Sequence, residues 1–562
     1  MRRIGIDVGG TNTDAVLLED DRVVHAAKTP TTPDVTTGIV TALGLLTASM
    51  PARAGGVDAV MIGTTHFTNA VVQRRDLTPV AAIRIGLPAS ASLPPFEDWP
   101  EDLARLVRGE VFMVEGGHEY DGRPIVPLDT AAVRIGLPAS ASLPPFEDWP
   151  EDLARLVRGE VFMVEGGHEY DGRPIVPLAT AAIRQAARRI RERGLTAAAI
   201  ASVFSPLNPT CEEEAARILR EEYPGLSVTC SHDLGRIGLL ERENATLLNA
   251  CLVDLAGRTT RGFMEALIRS EIRAPLYITQ NDGTVLPAEQ ARQFPVYSFA
   301  SGPTNSMRGA AFLSKRDDAI VVDVGGTTTD IGALRHGFPR EANNVVEIGG
   351  VRTLFRMPDL LSLGLGGGSL VASEPLAVGP LSVGFRLTER ARVFGGPDLT
   401  VTDIGVAARL LDLGARDRVA DLPPSLVERT LARISAMIEE GVDRMKTEAA
   451  PVPLIAVGGG CFVIPERLAG VSEVVHVPHQ AVANAVGAAI AQVSGEVDQI
   501  FQGLSREEAI ARARQLAEER AVRAGADPAS LQVVEVEDLP LAYLPGNSLR
   551  TRVRVVGDIA SH

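Results

Sequence analysis

Ile4-Gly5-Ile6-Asp7-Val8-Gly9-Gly10-Thr11-Asn12-Thr13-Asp14-Ala15-Val16-Leu17-Leu18 opens the chain. Ile320-Val321-Val322-Asp323-Val324-Gly325-Gly326-Thr327-Thr328-Thr329-Asp330-Ile331-Gly332-Ala333-Leu334 repeats it, with Asp323 at the place of Asp7. Each block reads as a hairpin: an apolar strand with an aspartate inside it, a Gly-Gly turn, and a return strand. Over the pattern D-V-G-G-T-x-T-D only Asn12 against Thr328 differs. Glycines let a backbone take positive φ and approach a ligand closely. Turn amides and threonine hydroxyls can then face an anion, while the strand aspartate holds a metal directly or through water. Mg²⁺ suits such sparse oxygen sites, because it keeps several waters and takes its other ligands from phosphates. A single Gly-Gly pair is only a tight turn. Two matching blocks, each opening a β-rich segment, point to one ligand gripped from two sides.

Working outward, Leu454–Val457 is an apolar strand running into Gly458-Gly459-Gly460, where an adenine or ribose could lie against bare backbone. Two small-residue helices are predicted, Thr304–Leu313 around Gly309-Ala310-Ala311 and Val482–Val493 around Gly487-Ala488-Ala489. Small side chains would let them cross closely at a hinge. The chain has three lysines, Lys28, Lys315 and Lys446, and none follows a glycine, so the phosphate-binding lysine of a P-loop is missing.

This set is similar to the actin/hexokinase/heat-shock ATPase superfamily and, more narrowly, resembles the A-type branch of the hydantoinase/oxoprolinase family. The matching segments are Gly63-Thr64-Thr65-His66-Phe67-Thr68-Asn69-Ala70, Gly167-His168-Glu169-Tyr170-Asp171-Gly172, Gln280-Asn281-Asp282-Gly283 and Ser301-Gly302-Pro303. Asp323–Asp330, Gly366-Gly367-Gly368-Ser369, Thr402-Asp403 and Gly458-Gly459-Gly460 continue it, over roughly residues 1–495. The resemblance implies an α/β fold of two RNase H-like domains around a nucleotide cleft. The expected division is domain I at 1–315, domain II at 316–495, and a C-terminal α/β extension at 496–562. That extension reads as a helix Arg506–Ala524, a strand Leu531–Val536 and a second strand within Tyr543–Val556.

The resemblance also implies ATP-dependent opening of a cyclic amide such as hydantoin, N-methylhydantoin or 5-oxoproline, through phosphorylation of the amide oxygen. An unstrained lactam is a poor electrophile. Phosphoryl transfer to its oxygen creates a leaving group and asks mainly for positioning and charge stabilisation. On this reading ATP and Mg²⁺ are the cofactors. Asp7 and Asp323 take the metal or its waters, and both count as catalytic. Gly9, Gly10, Thr11, Asn12 and Thr13, with Gly325, Gly326, Thr327, Thr328 and Thr329, take the phosphates. Asp282, in a Gly-bearing turn after the strand Leu276–Thr279, is either a general base or a turn cap. His66, Asn69, His168 and Glu169 (or His118 and Glu119 of the duplicate described below) are candidate substrate contacts, and Arg352 or Arg356 could hold a substrate carboxylate. Two rivals stay open: a small-molecule kinase of the same superfamily, and an activating ATPase whose ring-opening chemistry sits on a separate B-type hydrolytic subunit. A homo-oligomer is also open.

Composition narrows the field. With 45% apolar and 22% charged residues the chain reads as an ordinary globular protein. Its net charge of −16 disfavours nucleic acid and anionic membranes as partners. No apolar run reaches bilayer length, and Met1-Arg2-Arg3 leads straight into a strand, so a cytoplasmic location is expected. Four scattered cysteines, Cys211, Cys230, Cys251 and Cys461, have no C-x-x-C spacing and suggest neither a disulfide framework nor a structural zinc site. Finally, Arg84–Leu128 recurs unchanged as Arg134–Leu178, carrying the two tryptophans, Trp99 and Trp149. A functional repeat would show drift, so this tandem copy reads as a recent duplication or artefact. Thr78–Ile83 should be the strand before it and Ala179–Arg193 the helix after it.

Overall fold

The computed structural model describes residues 1–32, 35–48, 56–87, 145–169, 172–234, 238–342, 346–354, 356–541 and 548–560. Both hairpins form as read. In the first, β1 (Arg2–Val8) pairs antiparallel with β2 (Asn12–Glu19), and β2 with β3 (Arg22–Pro30). Strand β4 (Ala59–Thr64) lies parallel to β1 on its other side, followed by β9 (Leu276–Thr279). The second block repeats this plan. Strand β11 (Ala319–Val324) pairs antiparallel with β12 (Thr329–Arg335), which pairs with β13 (Phe338–Pro339). Strands β19 (Val452–Val457) and β20 (Val471–His476) follow in parallel on the far side of β11. Two sheets with one strand order, hairpin first and parallel strands after, are the two RNase H-like lobes.

The lobes are interlocked. Helix Ser301–Ser314 leaves the first lobe and packs Met307, Ala310 and Ala311 against Val321, Leu334, Ile455 and Val457 of the second lobe's sheet. Helix Ala483–Ala489 leaves the second lobe and packs Ala485, Val486 and Ala489 against Val16 and Leu18 of β2. The two helices cross at glycines. A Cβ on Gly309 would stand 1.9 Å from the Ala483 carbonyl oxygen, and one on Gly487 would stand 1.8 Å from that of Asn305. The second helix is shorter than read. It ends at Ala489, and Val493 begins a strand, because Val493, Gly495 and Val497 alternate buried with partly exposed neighbours.

The C-terminal α/β extension joins the first lobe's sheet. Strand β10 (Val285–Pro287) pairs antiparallel with β9 and parallel with β21 (Val493–Phe501). Strand β23 (Leu549–Gly557) follows β21, and β22 (Gln532–Pro540) closes the edge, so the C-terminal strands extend the first lobe's sheet to nine. Helix Arg506–Arg523 forms as read and lies on these strands through Ala509, Ala513, Ala517 and Ala521, one small residue per turn. Two smaller hairpins, β14 (Val346–Ile348) with β15 (Val351–Thr353) and β17 (Ser369–Ser373) with β18 (Leu376–Ser382), decorate the second lobe, and β16 (Leu360–Leu363) pairs with β12.

A four-stranded parallel sheet branches from the first lobe. Its strands are β5 (Val80–Leu87), β6 (Arg158–Glu165), β7 (Ala197–Ser202) and β8 (Ser227–Cys230), in the order β6-β5-β7-β8. One face packs on helices Thr180–Glu192 and Thr210–Glu222, and the other on the long helix Leu239–Arg269. The fold draws on both copies of the duplicated segment. Strand β5 uses Arg84 to Leu87 of the first copy, and its neighbour β6 comes from the second. Arg84 is buried in an ion pair with Glu243, and Trp149 donates to Asn244 at 2.7 Å beside buried Phe146. Trp99, His118, Glu119 and the rest of residues 88–144 lie outside the described residues, as do Tyr170 and Asp171.

Because the copies are identical, deleting Arg84–Val133 yields the same protein as deleting 95–144, all of which lies outside the described residues. Every described contact survives the deletion. The shortened chain is therefore expected to bind nucleotide like the full chain and to melt no lower. Loss of nucleotide binding, or of a cooperative melt, would show that both copies belong to the fold.

Candidate functional site

The two Gly-Gly turns meet. Gly9 N–H donates to Asn12 O at 3.0 Å and Gly325 N–H to Thr328 O at 2.9 Å, so the turns are closed alike. A Cβ on Gly326 would stand 3.2 Å from Thr11 Oγ1, which places one tip against the other. Thr11 and Asn12 are half-buried, and Thr327 and Thr328 exposed, so all four can meet a ligand. Thr13 and Thr329 differ. Each is fully buried, Thr13 Oγ1 lying 3.2 Å from Thr31 Oγ1 and Thr329 donating to Leu365 O at 2.7 Å. They hold the turns from behind, because strand alternation points them inward. Of the residues expected to face phosphates, Gly9–Asn12 and Gly325–Thr328 are the ones at the meeting of the turns.

Both predicted glycine triplets brace the second turn. Gly367 and Gly368 N–H donate to Gly325 O and Gly326 O at 3.0 and 2.7 Å, and Thr402 Oγ1 donates to Gly367 O at 2.8 Å. Gly460 N–H donates to Val324 O at 2.7 Å, and a Cβ on Gly458 would fall 2.2 Å from Asp323 Oδ1. Gly458 is therefore glycine to admit the Asp323 carboxylate, and Gly460 to let the backbone close on Val324. Among the three, Gly459 alone has open space at its Cα.

The carboxylates gather beneath the turns. Asp7 and Asp14 are register partners, as are Asp323 and Asp330. Asn484 Nδ2 donates to Asp7 Oδ2 at 3.0 Å and Asp14 Oδ2 at 2.9 Å, and Lys28 Nζ is 2.6 Å from Asp14 Oδ1. Asn305 Nδ2 lies 3.5 Å from Asp7 Oδ1. Burial, with the charge of Asp14 beside it and Asp323 beyond, pushes the Asp7 carboxyl up to about 7, the amides of Asn305 and Asn484 notwithstanding. Burial also raises Asp323, against the pull of Ser306 and Lys28, and raises Asp330 to about 6. Carboxyls so disfavoured as anions, with Lys28 the cation paired to the group at Asp14, fit a divalent cation.

A proton and a metal would compete for Asp7. Its carboxyl titrates near 7 in the fold against 3.8 ordinarily, so Mg²⁺ affinity is expected to fall as pH drops below about 7. For one competing proton the loss is roughly tenfold per pH unit. Without metal the sign is opposite: the native state binds the proton more tightly, so this group adds stability as pH falls from about 7 toward 3.8. Calorimetric Mg²⁺ titrations across this range check it, and a pH-independent affinity would remove Asp7 from the ligand set.

His66 and Asn69 join this region. Register pairs Gly63 with Asp7 and Thr64 with Val8, and the helix His66–Gln73 starts directly after β4. Asn69 Nδ2 donates to Thr65 Oγ1 at 3.2 Å, and burial lowers the His66 imidazole, keeping it neutral. Ser301 Oγ donates to Thr64 O at 3.2 Å, while Gly302 leaves room for Thr65 and Asp7. His168 and Glu169 do not join. They follow β6 in the branched sheet, where His168 is buried, its N–H donating to Val203 O at 3.3 Å and its ring near Thr210.

Asp282 takes its other reading. Its Oδ1 accepts from Thr284 N–H and Oγ1 at 3.1 and 2.6 Å, and its Oδ2 pairs with Arg554 at 3.0 Å. Burial alone would raise this carboxyl, but Arg554 and Thr284 hold it below the usual range, which suits a cap and not a base. Arg356 is likewise committed, to Glu496 at 2.7 Å and Glu535 at 2.8 Å, and Arg352 is largely exposed. Asn305, Asn484, Ser306 and Lys28 were missed by sequence reading. A signal existed for the asparagines: each sits one turn before the glycine of a small-residue helix, a costly place for an amide without a polar partner.

Two such lobes, facing across Asp-bearing Gly-Gly-Thr hairpins, define a two-lobed α/β protein of RNase H-like build. The chain belongs to the hydantoinase/oxoprolinase family: the model of the family's N-terminal region matches residues 3–142 and 146–223, and the hydantoinase/oxoprolinase model matches 242–445. It is 27% identical over 512 residues to the alpha subunit of the caprolactamase of Pseudomonas jessenii, covering 83% of this chain and 66% of that protein. It is 27% identical over 425 residues to the acetophenone carboxylase gamma subunit of Aromatoleum aromaticum, covering 72% and 52%. The chain therefore spans 66% or less of these relatives' length. Among solved structures, the ATP-dependent caprolactamase of Pseudomonas jessenii matches with a TM-score of 0.73 at 21% identity, over 99% of this chain and 88% of that one. Nucleotide-free acetone carboxylase matches at 0.65 and 18%, over 100% and 89%. These likenesses establish the fold. No helix among the described residues is long and apolar enough to cross a membrane.

Proposed function

We propose that this chain hydrolyses ATP to open a cyclic amide. The observation that carries the reading is the meeting of the two turns, Thr11 against Gly326, with the carboxyls of Asp7 and Asp323 desolvated beneath them. Backbone amides of Gly9–Asn12 and Gly325–Thr328 would cradle the phosphates. Asp7 and Asp323 would hold Mg²⁺, which when bound shields the phosphate charge. Neutral His66 and Asn69, on the helix that follows β4, would receive the amide. Its carbonyl oxygen attacks the γ-phosphorus and ADP leaves. Water then adds at the activated carbon, and the ring C–N bond breaks as the nitrogen takes a proton, which leaves an acyl phosphate; a second water releases phosphate and the free acid. The sum is one ATP and two waters consumed per ring opened, giving ADP, phosphate and the ring-opened acid.

The test is to follow ADP, phosphate and ring-opened acid with hydantoin, N-methylhydantoin, 5-oxoproline and caprolactam. Phosphate and acid should appear together, and only with a cyclic amide present. A stable phosphorylated product would make the chain a kinase. A second reading is favoured by the names of the relatives, one an alpha and the other a gamma subunit. On it, the chain activates the amide and a B-type hydrolytic subunit completes the opening. Turnover that appears only on adding such a partner would establish that version.

A further inference from the structure

The branched parallel sheet carries a polar cluster that ring opening does not use. It lies at the carboxyl ends of β7 and β8, where parallel sheets place their ligand sites. Glu212, in the first turn of helix Thr210–Glu222, is fully buried. It accepts from Ser202 N–H at 2.7 Å, Ser231 Oγ at 2.6 Å and His232 N–H at 3.0 Å, and its Oε2 is 2.7 Å from His232 Nδ1. Cys230 ends β8, two residues before His232. One ligand atom from each of Glu212, Cys230 and His232 lies within 4.8 Å of the other two. Behind the imidazole, Asp233 Oδ1 is 3.6 Å from His232 Nε2, where a carboxylate orients a metal-ligating histidine.

We propose that Glu212, Cys230 and His232 form a binding site for one divalent transition metal of the zinc class. A mixed oxygen, nitrogen and sulfur set selects a borderline ion over Mg²⁺ or Ca²⁺, which take oxygen, and three protein ligands leave a fourth position to water. Charge agrees, because carboxylate and thiolate together neutralise the ion.

The experiment uses the full chain, stripped with a chelator and titrated with Co²⁺ and then Zn²⁺. One Co²⁺ should bind per chain with a thiolate-to-cobalt charge-transfer band, which Zn²⁺ abolishes and Mg²⁺ does not. Cys230→Ser should lose the band and Cys211→Ser keep it. Asp233→Asn should weaken binding about 10–100-fold, the scale for a residue orienting a metal ligand. A wild-type chain with no such band, or a band surviving Cys230→Ser, overturns the proposal. Should Cys230→Ser fail to fold, the wild-type titration and the Asp233→Asn shift decide alone.

Discussion

Asp323→Ala should lower Mg·ATP turnover by at least about 100-fold, the scale for losing one preorganised electrostatic group, while leaving the fold in place. Asp323 stands at the base of the second turn, and the bare Cα of Gly458 exists to admit its carboxylate. Burial raises its carboxyl above the ordinary 3.8, so at neutral pH its charge works against the folded state. Removing it should therefore not lower the metal-free melting temperature, and should raise it at neutral pH more than in acid, where the native carboxyl is already protonated. A residue needed only for packing would lose stability and activity together. Turnover close to wild type in the folded variant would remove Asp323 from the site.

The second large effect is at the helix crossing. Gly487→Ala should cost about 3 kcal/mol or more, at the upper end for overpacking, because its Cβ would meet the Asn305 carbonyl at 1.8 Å and backbone cannot turn aside. Gly309→Ala should behave alike, meeting Ala483 O at 1.9 Å. Each helix packs on the other lobe's sheet, so prying them apart disturbs both cores and moves Asn305 and Asn484 away from Asp7. Mg²⁺ affinity should then fall together with stability. Gly44→Ala is the control: that glycine lies in helix Val35–Ala48 with nothing near its Cα, and alanine there should stabilise by about 0.5–1 kcal/mol. Equal denaturation midpoints for Gly487→Ala and Gly44→Ala would refute the close crossing.

Much of this architecture was legible in residues alone, for a local reason. A strand aspartate, two glycines and threonines within eight positions specify a turn through short-range geometry, and finding the pattern twice marks two equivalent lobes. The crossing glycines were readable likewise, since a run of small residues on a helix has few other uses. Asp282 was open between base and cap because its partner Arg554 lies on β23, a strand that no local pattern assigns to the same sheet. His168 stands beside glycines in a polar stretch, the composition of a ligand loop, yet it closes a different sheet.

What the sequence by itself determined is the pair of turns, their acidic bases and the small-residue helices, because each is encoded within a few consecutive residues. Tertiary structure alone decided the rest. It buried Thr13 and Thr329 behind the turns, brought Asn305 and Asn484 onto Asp7, exchanged the two helices between lobes and added β21, β22 and β23 to the first sheet. It also chose between identical copies, taking Arg84 from one and Trp149 from the other. Identical segments have identical preferences, for local conformation and for Glu243 and Asn244 alike, so only the chain to which each copy is joined tells them apart: Arg84 continues the strand begun at Val80, and Trp149 precedes β6 and the helix Thr180–Glu192.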